Sequence, residues 1–348
     1  MSKFLKNQWY AAAWGVEVGE KPLGRRILGE PVVFFRQADE SIAALIDRCP
    51  HRLVPLSMGT CVNGRIQCTY HGLQFDGTGR CVHIPAQSVI PPKAHTRSYP
   101  IVERYGLVWI WMGDPALADP AGVPKVERYG ESGWDVIAGG YQHHPSNYIN
   151  IIENLMDPSH TTFLHPNTIG NPASSETPVT TEKTDDYIVA YRWLDNTEPS
   201  PHDRRRLHVN ENMKVDRGQF FYFYLPSVSR VETLVLPTGT ERTEENMRTR
   251  GLRTYSYKFL TPETESTTHF FWTHVRNYLV GDLQATAMLR VALEQTYSED
   301  LAVEVAMQRS QEETGVRQLM ALELDRAPMM AVRMLQRMIE AENARPAA

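Results

Sequence analysis

Cys49-Pro50-His51 and, sixteen residues further on, Cys68-Thr69-Tyr70-His71 decide how this chain is read. Each stretch offers one thiol and one imidazole. Together they suit a 2Fe–2S cluster of mixed ligation, with two thiolates on one iron and two imidazoles on the other. Neutral imidazole in place of thiolate removes negative charge from the cluster and raises its reduction potential. A structural zinc also accepts two Cys and two His. Zinc fingers, however, pair Cys with Cys and His with His along the chain. Here each stretch carries one of each, as a cluster held between two loops requires.

The surrounding sequence reads as β. Pro31–Arg36 and Ser41–Ile46 are short apolar runs around the turn residues Gln37 to Glu40, the pattern of a hairpin. Gly72–Asp76 and Cys81–Ile84 flank the turn Gly77-Thr78-Gly79-Arg80, and Leu107–Met112 is a further strand. Each metal-binding pair therefore lies at a loop tip beside a strand. Gly113-Asp114-Pro115 and the prolines from Pro120 to Pro124 mark a linker. The boundary falls near 113–125 and divides the chain into domains 1–120 and 121–348.

With 348 residues, two domains are expected. The formal net charge of −5 lacks the basic face of a nucleic-acid binder. No apolar stretch approaches the ~20 residues of a membrane span. The N-terminus lacks the apolar core and cleavage site of a signal peptide. Four cysteines do not make a disulfide framework. Cys61 and Cys81 read as reduced structural thiols, which places the protein in the cytoplasm.

The second half mixes types. Tyr148 to Leu164 reads as helix and Gln219 to Leu225 as a strongly aromatic strand. Leu252–Leu260 and Thr268–Val275 are further strands. Leu283–Glu313 is a long helix with Leu289, Ala292, Leu293, Thr296, Val303 and Met307 along one side. Pro328–Glu342 closes the chain as an amphipathic helix, and the tail from Asn343 to Ala348 is frayed.

A second constellation lies in Glu153-Asn154-Leu155-Met156-Asp157-Pro158-Ser159-His160, continuing to His165. Asp157 and His160 share a face if the segment is helical, with Asp157 capping a new turn that Pro158 begins. Pro166 disfavours α conformation at His165, so the helix ends there and His165 can turn toward His160. Two imidazoles and one carboxylate form the facial triad of non-haem Fe(II) oxygenases, with open positions for O2 and substrate. The carboxylate must come from elsewhere. The long helix offers Glu294, Glu299, Asp300 and Glu304, and spacing does not choose between Asp300 and Glu304.

Cys-Pro-His-Arg at 49–52, Cys-x-Tyr-His-Gly at 68–72 and Asn-Leu-Met-Asp-x-x-His-x-x-x-x-His at 154–165 resemble the oxygenase component of Rieske non-haem iron oxygenases. The group most resembled contains vanillate O-demethylase, dicamba O-demethylase and toluenesulfonate methyl-monooxygenase. Shared wording runs through Asn7-Gln8-Trp9-Tyr10, Val102-Glu103-Arg104, Trp109-Ile110-Trp111 and Leu260-Thr261-Pro262-Glu263-Thr264-Glu265. The region from about 195 to 250 departs most.

The resemblance implies an α+β fold: an N-terminal all-β Rieske domain and a C-terminal catalytic domain with an antiparallel sheet and covering helices, of helix-grip type. It implies Cys49, His51, Cys68 and His71 as cluster ligands and His160 and His165 as ligands of mononuclear iron. Tyr297-Ser298-Glu299-Asp300 is similar to the family's Glu-Asp segment, which favours Asp300 as third ligand. Asp157 would bridge the two metals, accepting from His160 and meeting His71 across a head-to-tail homotrimer. Asn154 would lie beside the iron.

No Gly-x-Gly-x-x-Gly follows a strand and no second Cys cluster is present, so the chain shows no flavin or NAD site. A separate reductase is implied, and the family suggests a flavin and iron–sulfur protein using NADH or NADPH. The expected activity is monooxygenation of a methyl or methoxy group on an aromatic acid, as in the catabolism of aromatic compounds. Ring dihydroxylation, N-demethylation and non-catalytic electron transfer are the alternatives. Lys258 corresponds, through the shared Leu-Thr-Pro-Glu-Thr-Glu, to the carboxylate-binding His of dicamba-type enzymes. It is the candidate substrate anchor, with Arg253, Arg276 and His208 as rivals and the rings of Phe220–Tyr224 as walls.

Overall fold

Short apolar runs closed by turn residues become the strands of a first unit, formed by Met1–Lys125 and Thr261–Glu265 in a computed structural model that describes residues 3–207 and 213–344. One sheet is ordered β1 (Trp9–Trp14), β11 (Leu107–Trp111), β10 (Ile101–Arg104). A second runs β2 (Leu23–Ile27), β3 (Glu30–Arg36), β4 (Ile42–Ile46), β9 (Ser98–Tyr99), and a third is the meander β5 (Thr60–Val62), β6 (Arg65–Gln67), β7 (Gln74–Phe75), β8 (Cys81–His83). The expected hairpin is β3–β4, with Phe34 opposite Ala44. Its turn closes where Gln37 N–H donates to the Ser41 carbonyl at 2.8 Å. After β11 the chain makes two 3₁₀ turns, each with proline first and an aspartate before it. Asp114 accepts from Ala116 N–H and Asp119 from Ala121 N–H, which is helix N-capping at its shortest.

Val126–Leu260 and Ser266–Ala348 form the second unit. Its centre is a seven-stranded antiparallel sheet in the order β12 (Asp135–His144), β18 (Thr268–Arg276), β17 (Leu252–Pro262), β16 (Val228–Pro237), β15 (Val215–Tyr224), β14 (Tyr187–Thr197), β13 (Thr180–Lys183). The helices are α1 (Tyr148–Met156), α2 (Thr161–Leu164), α3 (Ala173–Glu176), α4 (Pro201–Leu207), α5 (Glu244–Thr249), α6 (Leu283–Thr314) and α7 (Arg326–Asn343). Three of them cover the sheet: α1 packs on β15, α6 on β12 and α7 on β14, and α1 touches both α6 and α7. This is the expected α+β architecture. No helix among the described residues is long and apolar enough to cross a membrane.

Two local expectations need correction. The segment 148–164 is not one helix. Asn147 caps α1 by accepting from Ile149 N–H at 2.8 Å, and the helix stops at Met156. Proline disfavours α conformation in the residue before it, so Asp157 is extended (φ −102°, ψ 100°) and ends α1, and its carboxylate caps the turn that Pro158 begins by accepting from Ser159 N–H at 2.8 Å. The second correction concerns α6. Its buried stripe is Ala285, Leu289, Ala292, Leu293, Thr296, Tyr297, Asp300 and Glu304. Val303 lies off that stripe and is 38% exposed. The inward face thus turns acidic where the apolar pattern was expected to continue.

Candidate functional site

The two Cys-His stretches fold into near copies of one loop. Cys49 N–H donates to the Val54 carbonyl and Leu53 N–H to the Cys49 carbonyl. Cys68 N–H donates to the Leu73 carbonyl and Gly72 N–H to the Cys68 carbonyl. In each, the residue four beyond the cysteine has positive φ: 60° at Leu53 and 71° at Gly72. Both thiols are buried, 2% exposed, while His51 and His71 are exposed. The Nδ1 atoms of the two histidines are 3.2 Å apart, near the roughly 3.4 Å separating two imidazole nitrogens on one tetrahedral metal. Burial and the neighbouring Cys68 thiol push the Cys49 thiol up to about 11, so a metal must displace its proton. The thiols form one pair and the imidazoles another, but no three of the four donors lie within 4.8 Å of one another. That spread fits two irons in a cluster and does not fit a single zinc.

In the second unit, one donor atom each from His160, His165 and Asp300 do lie within 4.8 Å of one another. His165 Nε2 is 3.0 Å and His160 Nε2 3.6 Å from Asp300 Oδ1. His160 begins α2 and His165 ends it in a non-helical conformation (φ −118°, ψ 43°), so the short helix turns both imidazoles toward α6. Burial alone would raise the Asp300 carboxyl, but the His165 hydrogen bond and the two imidazoles hold it below its ordinary value. Burial lowers His160 despite the nearby Asp300 and Asp157 charges. In His165 the bonds to Asp300 and Glu299 outweigh burial and raise it. Asn154 Nδ2 donates to Asp300 Oδ1 at 3.1 Å, and Asn154 Oδ1 is buried with no partner. An orphaned acceptor beside three converging donors is what a bound metal with open positions would satisfy. The residues therefore fit iron.

Residues 145–341 match the family described as the vanillate O-demethylase oxygenase C-terminal domain, and residues 8–100 match the Rieske [2Fe-2S] domain. The chain belongs to the Rieske oxygenases of vanillate O-demethylase type. It is 37% identical to the oxygenase component of dicamba O-demethylase from Stenotrophomonas maltophilia, over 98% of this chain and 99% of that one. It is 35% identical to a putative toluene-4-sulfonate monooxygenase system iron–sulfur subunit from Comamonas testosteroni, over 97% and 98%. A crystal structure of dicamba monooxygenase bound to 3,6-dichlorosalicylic acid superposes with a TM-score of 0.90, at 36% identity, covering 98% of this chain and 99% of that one.

In this Rieske oxygenase, α6 separates the two acids that spacing left open. Asp300 meets the histidines, whereas Glu304 bonds His144 Nδ1 at 2.6 Å, both side chains 1% exposed. Burial raises the Glu304 carboxyl against the pull of His144. Sequence reasoning missed His144 and the role of Glu299. Glu299 accepts from His165 Nδ1 at 2.7 Å and from Thr168 Oγ1 at 2.9 Å, an outer carboxylate that fixes the imidazole's orientation. Asp157 also differs from expectation. Its carboxylate accepts from Ser159 N–H at 2.8 Å, and His160 bonds its main-chain carbonyl. The extended backbone before Pro158 leaves that carbonyl free of helix bonding.

A cavity opens beside the triad, lined by Asn154, His160 and Asp300 on one side and by Thr254, Ser256 and Lys258 of β17 on another. Lys258 is 4% exposed, and its Nζ lies 3.4 Å from the Ser256 carbonyl and 5.5 Å from the Tyr297 ring centroid. Burial pulls it from 10.5 down to about 7, against the charge of Asp300. Two rivals point elsewhere. Arg253 pairs with Glu232 at 3.4 Å, and Arg276 pairs with Asp135 at 2.9 Å. His208 lies outside the described residues. The aromatic strand is corrected too: strand alternation turns Phe221 and Phe223 inward, and of the two Phe221 lines the cavity, beside Gln219 and Arg217. Phe220, Tyr222 and Tyr224 are half-buried on the other face, where Arg230 sits 4.0 Å over the Tyr222 ring.

Proposed function

We propose that this chain is the terminal oxygenase of a multicomponent Rieske monooxygenase, acting on a methyl or methoxy group of an aromatic acid. The observation that carries the reading is the convergence of His160, His165 and Asp300 at a cavity that also holds a buried lysine. Cys49, His51, Cys68 and His71 would hold the cluster in domain 1–120. His160, His165 and Asp300 would hold mononuclear Fe(II) in domain 121–348. When bound, the cluster supplies electrons singly and the iron supplies O2 activation.

The chain's own residues do the rest. Lys258 binds the carboxylate or sulfonate and turns the opposite end of the arene toward the triad. Asn154 orients the Asp300 carboxylate through its 3.1 Å bond. Glu299 holds the His165 ring. Asp157, with its second oxygen making no hydrogen bond among the described residues, is free to receive the partner subunit's His71 in a head-to-tail homotrimer. Asp157 and His160 then link the two centres. Electrons come from NADH or NADPH through a separate flavin and iron–sulfur reductase, in the cytoplasm. In balance, O2, two electrons and two protons convert ArOCH3 to a hydroxylated carbon and water. That carbon collapses to formaldehyde and the phenol.

The test uses the chain loaded with both metals, a flavin and iron–sulfur reductase, NADH, and a panel of methoxy- and methyl-substituted benzoates and arenesulfonates. A methoxy substrate should release formaldehyde equimolar with O2 consumed, and a methyl substrate should yield the hydroxymethyl product. Ring diols, or no oxidised product from any member, would overturn the reading.

A further inference from the structure

Arg192 is a guanidinium that spends its donors in an unusual way. It lies on β14 and is 3% exposed. Nη1 donates to the Ser174 carbonyl at 2.6 Å and Nη2 to the Pro158 carbonyl at 2.8 Å. Nη2 also reaches Thr161 Oγ1 at 3.3 Å, while Nε donates to Gln219 Oε1 at 2.8 Å. Burial, with Arg217 nearby, pulls the group down to about 10, so it stays charged at neutral pH. Arginine has five N–H donors and no acceptor. The oxygen of the Gln219 amide must therefore face it, and the amide orientation is set by chemistry rather than by assignment.

That leaves the Gln219 NH2. The residue is 3% exposed and lines the cavity. Its NH2 makes no hydrogen bond among the described residues, yet it is not among the sealed, unpartnered atoms of the interior. The cavity is the place where it finds a partner. Arg217, Gln219 and Phe221 are successive inward positions of β15, so the donor sits on the β15 wall, with β16 between it and the Lys258 strand β17.

We infer that Gln219 is a specificity-determining donor that recognises a neutral hydrogen-bond acceptor on the arene, such as a carbonyl, ether or nitro oxygen, and that Arg192 is the residue that positions it. The inference rests on the cavity being an aromatic-acid site. Arg192 ties the same amide to Pro158 and Thr161, the turn that carries His160, so the donor and the iron-side segment are held in one register.

Equilibrium binding tests this without turnover. The probes are the ring isomers of acetylbenzoate and isopropylbenzoate, which differ by a carbonyl acceptor in place of an apolar group of similar shape. Wild type should prefer at least one acetyl isomer over its isopropyl partner by about tenfold, the worth of a typical hydrogen bond. Gln219→Met should remove the preference. Gln219→Glu keeps a partner for Arg192 and so folds, but it presents an acceptor and should remove the preference as well. Arg192→Lys keeps the charge and loses the fork, so the acetyl-to-isopropyl ratio should fall even if both affinities change. A merely structural Arg192 would weaken both probes alike. Retention of the wild-type ratio in the Gln219 variants, or no preference in wild type, overturns the inference. If wild type binds none of the benzoates, or if Lys258→Met leaves all of them unaffected, the aromatic-acid reading fails first and the inference falls with it.

Discussion

Lys258 is charged at a cost when the cavity is empty, and that cost dictates how anion affinity must vary with pH. Among the described residues no carboxylate pairs with it, and its one hydrogen bond is the 3.4 Å contact with the Ser256 carbonyl. The shift from 10.5 to about 7 corresponds to a ceiling of roughly 5 kcal/mol for charging the group in place, at 1.36 kcal/mol per pH unit. The depressed value belongs to a base, so its charged form destabilises the fold. The penalty is full below about pH 7, shrinks as pH rises toward 10.5, and vanishes above it. Over that window the unfolded chain holds a proton the folded chain lacks, and stability rises with pH.

A bound carboxylate supplies the missing partner and restores the proton. Anion affinity should therefore be level below about pH 7, and weaken by about tenfold per pH unit above it. Iron at the triad adds positive charge and can move this window only downward. Calorimetry of 3-methoxybenzoate binding at pH 8, in two buffers of different ionisation enthalpy, should show uptake of about one proton per anion. Lys258→Met should abolish the uptake and weaken binding by at least about 30-fold, since truncating one partner of a desolvated charge pair costs about 2–5 kcal/mol. Affinity that is flat from pH 6 to 9, with no proton uptake, would refute the assignment.

Glu299→Gln removes the charge that holds His165 Nδ1, and iron affinity, measured by chelator competition, should fall about 10- to 100-fold with the cluster spectrum unchanged. Asp300→Ala should strip the mononuclear iron and spare the cluster. Glu304→Ala should keep the iron and cost about 1–3 kcal/mol by chemical denaturation, because His144 loses its buried partner; the reverse metal contents would mean that Glu304 is the ligand. Asp157→Asn preserves the acceptor for Ser159 N–H, so both metals should remain bound while the single-turnover rate of electron arrival at the iron falls at least tenfold. An unchanged rate would reduce Asp157 to the end of a helix.

The pieces legible in the sequence are those whose chemistry is local. Cys49 with His51, and Cys68 with His71, announce themselves because both donors of a loop must sit within four residues to reach one cluster. His160 and His165, five apart, are legible because a single short turn links them, with Pro166 marking its end. Strand β1 is not legible in the sequence because Trp9-Tyr10-Ala11-Ala12-Ala13-Trp14 is buried at every position and so lacks the alternation by which a half-exposed strand is recognised. Thr261–Glu265 joins the first unit from far along the chain, where Thr261 Oγ1 donates to the Ala11 carbonyl at 2.6 Å. No local pattern encodes such a return.

The choice between Asp300 and Glu304 shows where the limit lies. The two are one helical turn apart on α6 and both are buried, 7% and 1% exposed. Periodicity assigns them the same face and stops there. What separates them is the partner each meets from another element: α2 brings two histidines to Asp300, and β12 brings His144 to Glu304. A buried carboxylate persists only with such a partner, so each acid on an inward helix face implies a donor elsewhere in the chain. Read in that direction, the acidic end of the α6 stripe is itself a signal. Its two buried carboxylates, Asp300 and Glu304, demand partners from elsewhere, and half-buried Glu299 sits beside them. The chain supplies three histidines: His165 and His160 reach Asp300 through their Nε2 atoms, His144 reaches Glu304, and His165 reaches Glu299 through Nδ1. Counting the buried acids against the available imidazoles brings His144 into view, because Glu304 cannot be buried alone; half-buried Glu299, off the stripe, gives no such signal.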